Sequence, residues 1–222
     1  MHIEPLGDHA LLLRLGVTID ASLNRRVLAL AAHIESHRPA WLLDCVPAYA
    51  SLAVFIDPEA FARSPDPLIE AEAWLRHTIG SASAVATDSW QRVLEIPVRY
   101  GGEDGPDLDA LASELDIPPR ELIARHCAPL YQVAMLGFAP GFPYLLGLDP
   151  TLNSPRLATP RQTVPAGSVG IGGSQTGVYP CISPGGWRLI GHTPLLLFDA
   201  GRDPPSLLRA GDHVRFVVAE PA

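Results

Sequence analysis

The residues of this chain whose types and spacing can do chemistry gather between positions 126 and 190. Arg156-Leu157-Ala158-Thr159-Pro160-Arg161 carries two guanidiniums across a proline-stiffened turn, a pairing suited to a carboxylate or phosphoryl oxygen, although surface ion pairs compete for them in an acidic chain. Gly137-Phe138-Ala139-Pro140-Gly141-Phe142-Pro143-Tyr144-Leu145 sets aromatic rings among prolines and glycines that fix the backbone. Rings held that way suit a pocket rim or a partner contact, and hydrophobic closure of a loop over a core is an equal reading. Gln175, Thr176, Tyr179, Ser183 and the run Pro184-Gly185-Gly186-Trp187 put polar donors and an indole on glycine-rich turns where a ligand can approach the backbone. His126 is the candidate for proton transfer; with Leu122 it marks the helix face turned to a barrel, and a core histidine bonded to a carbonyl fits it as well.

Other patterns fail on inspection. His33 and His37 have a zinc-chelating spacing, but Ile34-Glu35-Ser36 misplaces the glutamate of an HExxH site, so a solvated helix face is the better reading. Gly170 to Gly177 has Gln175 where a dinucleotide fingerprint needs glycine, and no Walker lysine follows it. All 16 Lys+Arg residues are arginine, which removes Schiff-base and lysine general-base chemistry. Ala166-Gly167-Ser168-Val169-Gly170 resembles a nucleophile elbow, yet an elbow needs a helix after Ser168 and glycine-rich strand follows instead. Cys127 adjoins His126, and neighbours on a helix diverge by about 100°, so the two form no nucleophile and base pair.

Composition bounds the rest. A chain of 222 residues, 47% hydrophobic and 18% charged, can fold as one large or two small domains with real cores. Its net charge of −8 offers no basic field to a polyanion, so nucleic acid is not an expected partner. Cys45, Cys127 and Cys181 form neither a metal pair nor a disulfide framework, which fits a reducing compartment. Met1 to Gly16 lacks the basic start and long apolar run of a signal peptide, and no stretch approaches about 18 apolar residues, so a cytoplasmic location away from membranes is expected.

The elements that must position the candidates follow from periodicity. Asp20 to Arg38 carries Leu23, Val27, Leu30, Ala31 and Ile34 at helical spacing and stops at Pro39. Strands are predicted at 10–15, 41–46 and 51–56, and a second helix opens at Asp66-Pro67 and runs to about Ile79. This β-α-β-β-α unit ends in a Ser, Ala and Thr stretch over 81–89, so we place a domain boundary there, with an α+β domain at 1–88 and a second domain at 89–222. The second opens with an alternating strand at 93–100, a glycine-rich acidic turn and short helices at 107–115 and 118–127. Short strands predicted at 131–136, 167–171, 178–182, 187–190, 195–198 and 213–218 then suggest a closed barrel or a sandwich.

Several of these segments together resemble a known family. Met135 to Leu145, Pro155 to Arg161, Val164 to Gly170, Gln175 to Pro180 and Ser183 to Gly191 look like the signature of the 5-oxoprolinase B subunit, whose family includes allophanate hydrolase subunit 1, KipI-type kinase inhibitors and half of the carboxyltransferase domain of urea carboxylase. The match extends from Gly7-Asp8 through Val46-Pro47-Ala48-Tyr49 to Arg209-Ala210-Gly211-Asp212, with Ala50, Ser174 and His192 as departures where polar or basic residues are expected. The resemblance implies an α+β fold, a small amino-terminal domain followed by a cyclophilin-like β-barrel. It also implies a non-autonomous component of an ATP-dependent 5-oxoprolinase, opening 5-oxoproline to glutamate together with the A and C subunits. ATP would be shared with a partner of that assembly and magnesium would enter only through ATP, with no metal held by this chain alone.

A lactam is a poor electrophile, and phosphorylating its amide oxygen activates it toward water. Such a site needs cations for anionic oxygens and an acid or base near the ring nitrogen. On that basis Arg156 or Arg161 anchors an anion, Gln175 and Ser183 orient the ring, His126 transfers protons, and Tyr144 with Trp187 walls the pocket. Phe138, Thr159, Thr176 and Tyr179 are further binding candidates. The family also implies two alternatives: an inhibitor that binds a sensor histidine kinase, and half of a carboxyltransferase acting on urea-like or allophanate-like amides. Solvent-exposed aromatics on the 137–145 loop favour a partner surface, whereas aromatics lining a cleft with the arginines favour ligand chemistry.

Overall fold

Residues 1–61, 64–81 and 92–219 are described by the computed structural model. Contacts within the chain divide it into two units, Met1–Trp90 and Gln91–Ala222. The boundary expected between 88 and 89 lies outside the described residues.

In the first unit, β1 (His2–Pro5) and β2 (Ala10–Arg14) precede α1 (Ala21–Ser36), and β3 (Leu42–Pro47), β4 (Ser51–Ile56) and α2 (Pro67–Ser81) follow. The strands form an antiparallel sheet in the order β1-β2-β4-β3. Periodicity gives no sign of β1, because a four-residue edge strand ending in proline is too short to alternate visibly. Asp20 starts α1 by accepting a hydrogen bond from the Leu23 N–H at 2.8 Å, and Asp66 receives the Leu68 and Ile69 N–H groups of α2. The apolar stripe read from the sequence is the buried one: Val27, Leu30, Ala31 and Ile34 pack with Leu11, Leu13, Leu52 and Val54. His33 reaches from α1 to α2, its Nε2 lying 3.1 Å from the Thr78 carbonyl, and His37 Nδ1 lies 2.9 Å from the His33 carbonyl at the end of α1.

The second unit contains β5 (Val93–Tyr100), α3 (Leu108–Glu114), α4 (Pro119–Cys127), β6 (Tyr131–Leu136), β7 (Pro143–Leu146), β8 (Arg161–Val164), β9 (Ser168–Gly172), β10 (Gln175–Val178), β11 (Ser183–Gly185), β12 (Arg188–His192) and β13 (His213–Val218). Seven strands close a barrel in the order β10-β7-β6-β13-β5-β12-β9, while β8 and β11 form a separate two-stranded ribbon. Closure leaves no open edge among the seven, and β5 and β13 pair in parallel along six residues. Ile96, Val98, Val133, Val169, Ile171 and Phe216 fill the interior.

Three expectations need correction. Leu195–Phe198 is not a ladder strand and makes one bridge, from Phe198 to Ser206; within this apolar run Leu197 is buried without strand pairing and Leu196 is exposed. The strand expected at 178–182 lies earlier, at Gln175–Val178, ahead of Pro180. The Pro143–Leu146, Arg161–Val164 and Ser183–Gly185 segments, read as loops, are strands too short for a two-residue period to show.

Candidate functional site, an aromatic cleft on the barrel wall

The site begins with the two faces of the β9–β10 hairpin. Val169, Ile171 and Val178 point into the barrel core, so Gly170, Gly172 and Gly177 point outward. A methyl group on any of them would come within 3.1, 2.6 or 3.1 Å of the Trp187 side chain. The glycine run that superficially suggests a phosphate cradle is therefore the bed on which an indole lies. Covering that outer face explains why β9 and β10 are buried on both sides.

Phe142 is the hub of the aromatic cluster. Its ring centroid lies 5.0 Å from that of Tyr144, 5.3 Å from Tyr179, 5.4 Å from Trp187 and 5.4 Å from Phe138, all tilted or edge-on, the arrangement the ring quadrupole favours. The β6–β7 loop is tied across by Gly137 N–H to the Phe142 carbonyl at 3.1 Å and Phe142 N–H to the Ala139 carbonyl at 3.0 Å. Phe138 has φ +69° and is 62% exposed, a strained backbone position for an aromatic residue.

Arg156 completes the wall. Its loop is pinned on one side by the Gly173 N–H donating to the Ser154 carbonyl and on the other by the Leu157 N–H donating to the Gly186 carbonyl, both at 2.7 Å. Between these pins the guanidinium stands over the Trp187 ring, 5.9 Å from its centroid. Phe138, Phe142, Tyr144, Arg156, Tyr179, Gly185, Gly186 and Trp187 thus line a partly open recess of about 80 Å³. Arg156 makes no ion pair among the described residues. An uncommitted cation over aromatic walls suits a small planar molecule carrying a carboxylate.

Arg161 lies behind the cleft rather than in its lining. Its Nη2 donates to Asp107 Oδ1 at 2.6 Å, and Asp107 Oδ2 accepts the Leu189 N–H, also at 2.6 Å. Arg161 Nη1 is sealed from solvent with no partner, and so is Ser183 Oγ on the facing strand of the ribbon. Asp107, which the sequence does not single out, precedes α3 but makes no capping bond, and its carboxylate instead ties Arg161 to the start of β12. Phe142 also escaped, because nothing in a loop of several rings says which one is central.

The remaining candidates lie elsewhere. Thr159 is exposed and outside the lining, and Gln175 is buried on β10 beside Gly172. His126 and Thr176 face the barrel interior. His126 is fully buried, with Nε2 2.9 Å from Thr176 Oγ1 and Nδ1 2.8 Å from the Tyr100 hydroxyl. Since the Thr176 hydroxyl donates to the Gly170 carbonyl at 2.9 Å, it accepts from Nε2–H, and the Tyr100 O–H donates to Nδ1. Burial pulls the imidazole down to about 3, so it stays neutral. The proton-transfer role expected for His126 and the binding role expected for Thr176 thus fall on residues that are buried, hydrogen-bonded within the barrel and outside the cleft lining. Cys127 Sγ sits 3.4 Å from the Tyr100 hydroxyl, its thiol pushed up by burial, which fits packing. His192 contacts the Ala166 carbonyl at 2.8 Å, away from the cleft lining.

Among the described residues no group of three or more His, Cys, Asp or Glu is placed to hold a metal ion, and Gly170, Gly172 and Gly177 of the glycine-rich run lie against Trp187. None of the described helices is long and apolar enough to cross a membrane.

A small α+β unit, and a closed barrel whose outer wall carries a ribbon-covered aromatic cleft, define the class of protein. The chain belongs to the family described as carboxyltransferase domain, subdomain C and D, whose model matches residues 1–208. It is similar to the 5-oxoprolinase B subunit of Bacillus subtilis (strain 168), 45% identical over 97% of this chain and 91% of the relative. The protein of the same name from Haemophilus influenzae is 42% identical, over 98% of both chains. Among solved structures, TTHA0988 matches at TM-score 0.81 and 41% identity over 96% of this chain; this chain spans 40% of the length of that one.

Proposed function

We propose that the chain is the B subunit of an ATP-dependent 5-oxoprolinase and that its aromatic cleft receives 5-oxoproline. The observation that carries this reading is the unpaired Arg156 guanidinium over Trp187, in a recess otherwise walled by Phe142, Tyr144 and Tyr179. The flat ring of the lactam acid matches the aromatic walls, and its carboxylate matches the guanidinium. Identity of 41–45% with 5-oxoprolinase B subunits over nearly the whole chain supports the same reading.

Activation of the amide by ATP belongs, on this reading, to a companion chain: the sequence has no Walker lysine, and no group of three or more His, Cys, Asp or Glu among the described residues is placed to hold a metal ion. This chain binds and orients the ring, excludes water from its apolar faces and holds its carboxylate. The test is reconstitution with the A and C subunits and assay of 5-oxoproline-dependent ATP hydrolysis. A rate that rises when this chain is added supports the reading; a rate no greater than that of the isolated A subunit removes it. Of the alternatives, kinase inhibition gains from Phe138, the exposed ring of the loop, but the other rings face the recess.

A further inference from the structure

The recess offers two chemically different groups. One is Arg156, which stands over the indole. The other is the Tyr179 hydroxyl, so close to the β11 backbone that a methyl on Gly185 would lie 2.3 Å from it. Glycine is required at this position of the ribbon by the phenol itself. The Tyr179 side chain is nearly sealed, fixed edge-on to Phe142 and Trp187, so its hydroxyl has little freedom to turn away.

Most of the groups around that hydroxyl are donors. Burial pushes Tyr179 up from its ordinary value, opposed by the Trp187 backbone N–H and the Arg156 guanidinium, with the Tyr144 phenol adding to the rise and Arg161 opposing it. Arg161 is locked in place from behind by Asp107, and its second nitrogen is buried without a partner. Cations and an N–H near the phenol oxygen favour its own proton as the one donated, and a neighbourhood rich in donors favours an electron-rich ligand atom.

We infer that Tyr179 is a specificity-determining residue of the cleft, its hydroxyl donating a hydrogen bond to the lactam carbonyl oxygen of a ligand whose carboxylate is held by Arg156. The inference rests on the reading of the cleft as a lactam-acid site and deepens it by assigning each end of the ligand to one residue. Asp107 and Arg161 act as positioning residues for the phenol.

The test measures binding of three probes to the assembled complex by calorimetry: 5-oxoproline, proline, which lacks the ring carbonyl, and 2-pyrrolidinone, which lacks the carboxylate. The wild-type complex is expected to prefer 5-oxoproline to both. Tyr179→Phe keeps the ring and its packing; it should weaken 5-oxoproline roughly threefold to tenfold and leave proline unchanged, erasing preference for the carbonyl. Arg156→Ala should instead erase preference for the carboxylate, weakening 5-oxoproline by about tenfold to a hundredfold and leaving 2-pyrrolidinone unchanged. If Tyr179→Phe weakens 5-oxoproline and proline equally, or neither, the assignment of Tyr179 is wrong while the cleft reading stands. If the wild-type complex turns over 5-oxoproline but Arg156→Ala and Tyr179→Phe both bind it normally, the ligand lies elsewhere and both readings of the cleft fall.

Discussion

The two faces of one hairpin contrast. Inside the barrel, Thr176 belongs to a row of polar groups running from Cys127 through Tyr100 and His126 to the Gly170 carbonyl, and every bond in it is made. Outside, one residue along, Gly177 lies under Trp187, and there Arg156 has no ion pair while Arg161 Nη1 and Ser183 Oγ have no partners among the described residues. Both clusters mix rings with donors, and both contain residues that sequence alone marks as chemical. The difference teaches that polar satisfaction separates the two faces: inside, each group of the row has its partner, whereas outside the Arg156 cation has no ion pair among the described residues and is open to a ligand's carboxylate.

The largest expected effect tests the inner cluster. His126→Ala strands the Tyr100 and Thr176 hydroxyls and opens a cavity, and should cost about 3–5 kcal/mol in denaturant unfolding while turnover per folded complex stays normal. Lost turnover at unchanged stability would reverse the comparison. Next comes the outer face: Arg156→Ala should raise KM for 5-oxoproline by about tenfold to a hundredfold and change unfolding by no more than about 0.5 kcal/mol, since the side chain is exposed.

Acidification sharpens the contrast further. The folded chain holds His126 near 3 against an ordinary 6.5. Between those values the unfolded chain takes up a proton that the folded one refuses, so stability falls as pH drops through that window. This group contributes about 1.4 kcal/mol per pH unit there. Comparing stability against pH for the wild type and His126→Ala isolates that slope; identical slopes would mean the ring protonates within the fold. The smallest effect is predicted for Thr159→Ala, exposed beside the cleft but not lining it: KM unchanged and stability within about 0.5 kcal/mol.

Much of the scaffold is legible in the sequence, for local reasons. The α1 stripe of Val27, Leu30, Ala31 and Ile34 is what a helix packed on a sheet must present, and β5 and β13 show their alternation openly. The first strand and the β8–β11 ribbon stay hidden because three or four residues flanked by proline or glycine carry no period. For the site, the nature of the residues is readable but their sides are not. Thr176 and Tyr179 are three apart on the same chain segment, yet one faces the barrel core and the other the cleft.

What the sequence determined by itself is the material: an all-arginine basic set, rings embedded among prolines and glycines, and the periodicities that build a sheet, two helices and a barrel. Only the tertiary structure decided allegiance. It sent His126 inward to two hydroxyls, bound Arg161 to Asp107, and left Arg156 facing the recess. The physical reason is that a side chain's chemistry is fixed by its atoms, whereas its availability depends on burial and on partners brought from distant parts of the chain, as Asp107 and Arg161 are, 54 positions apart.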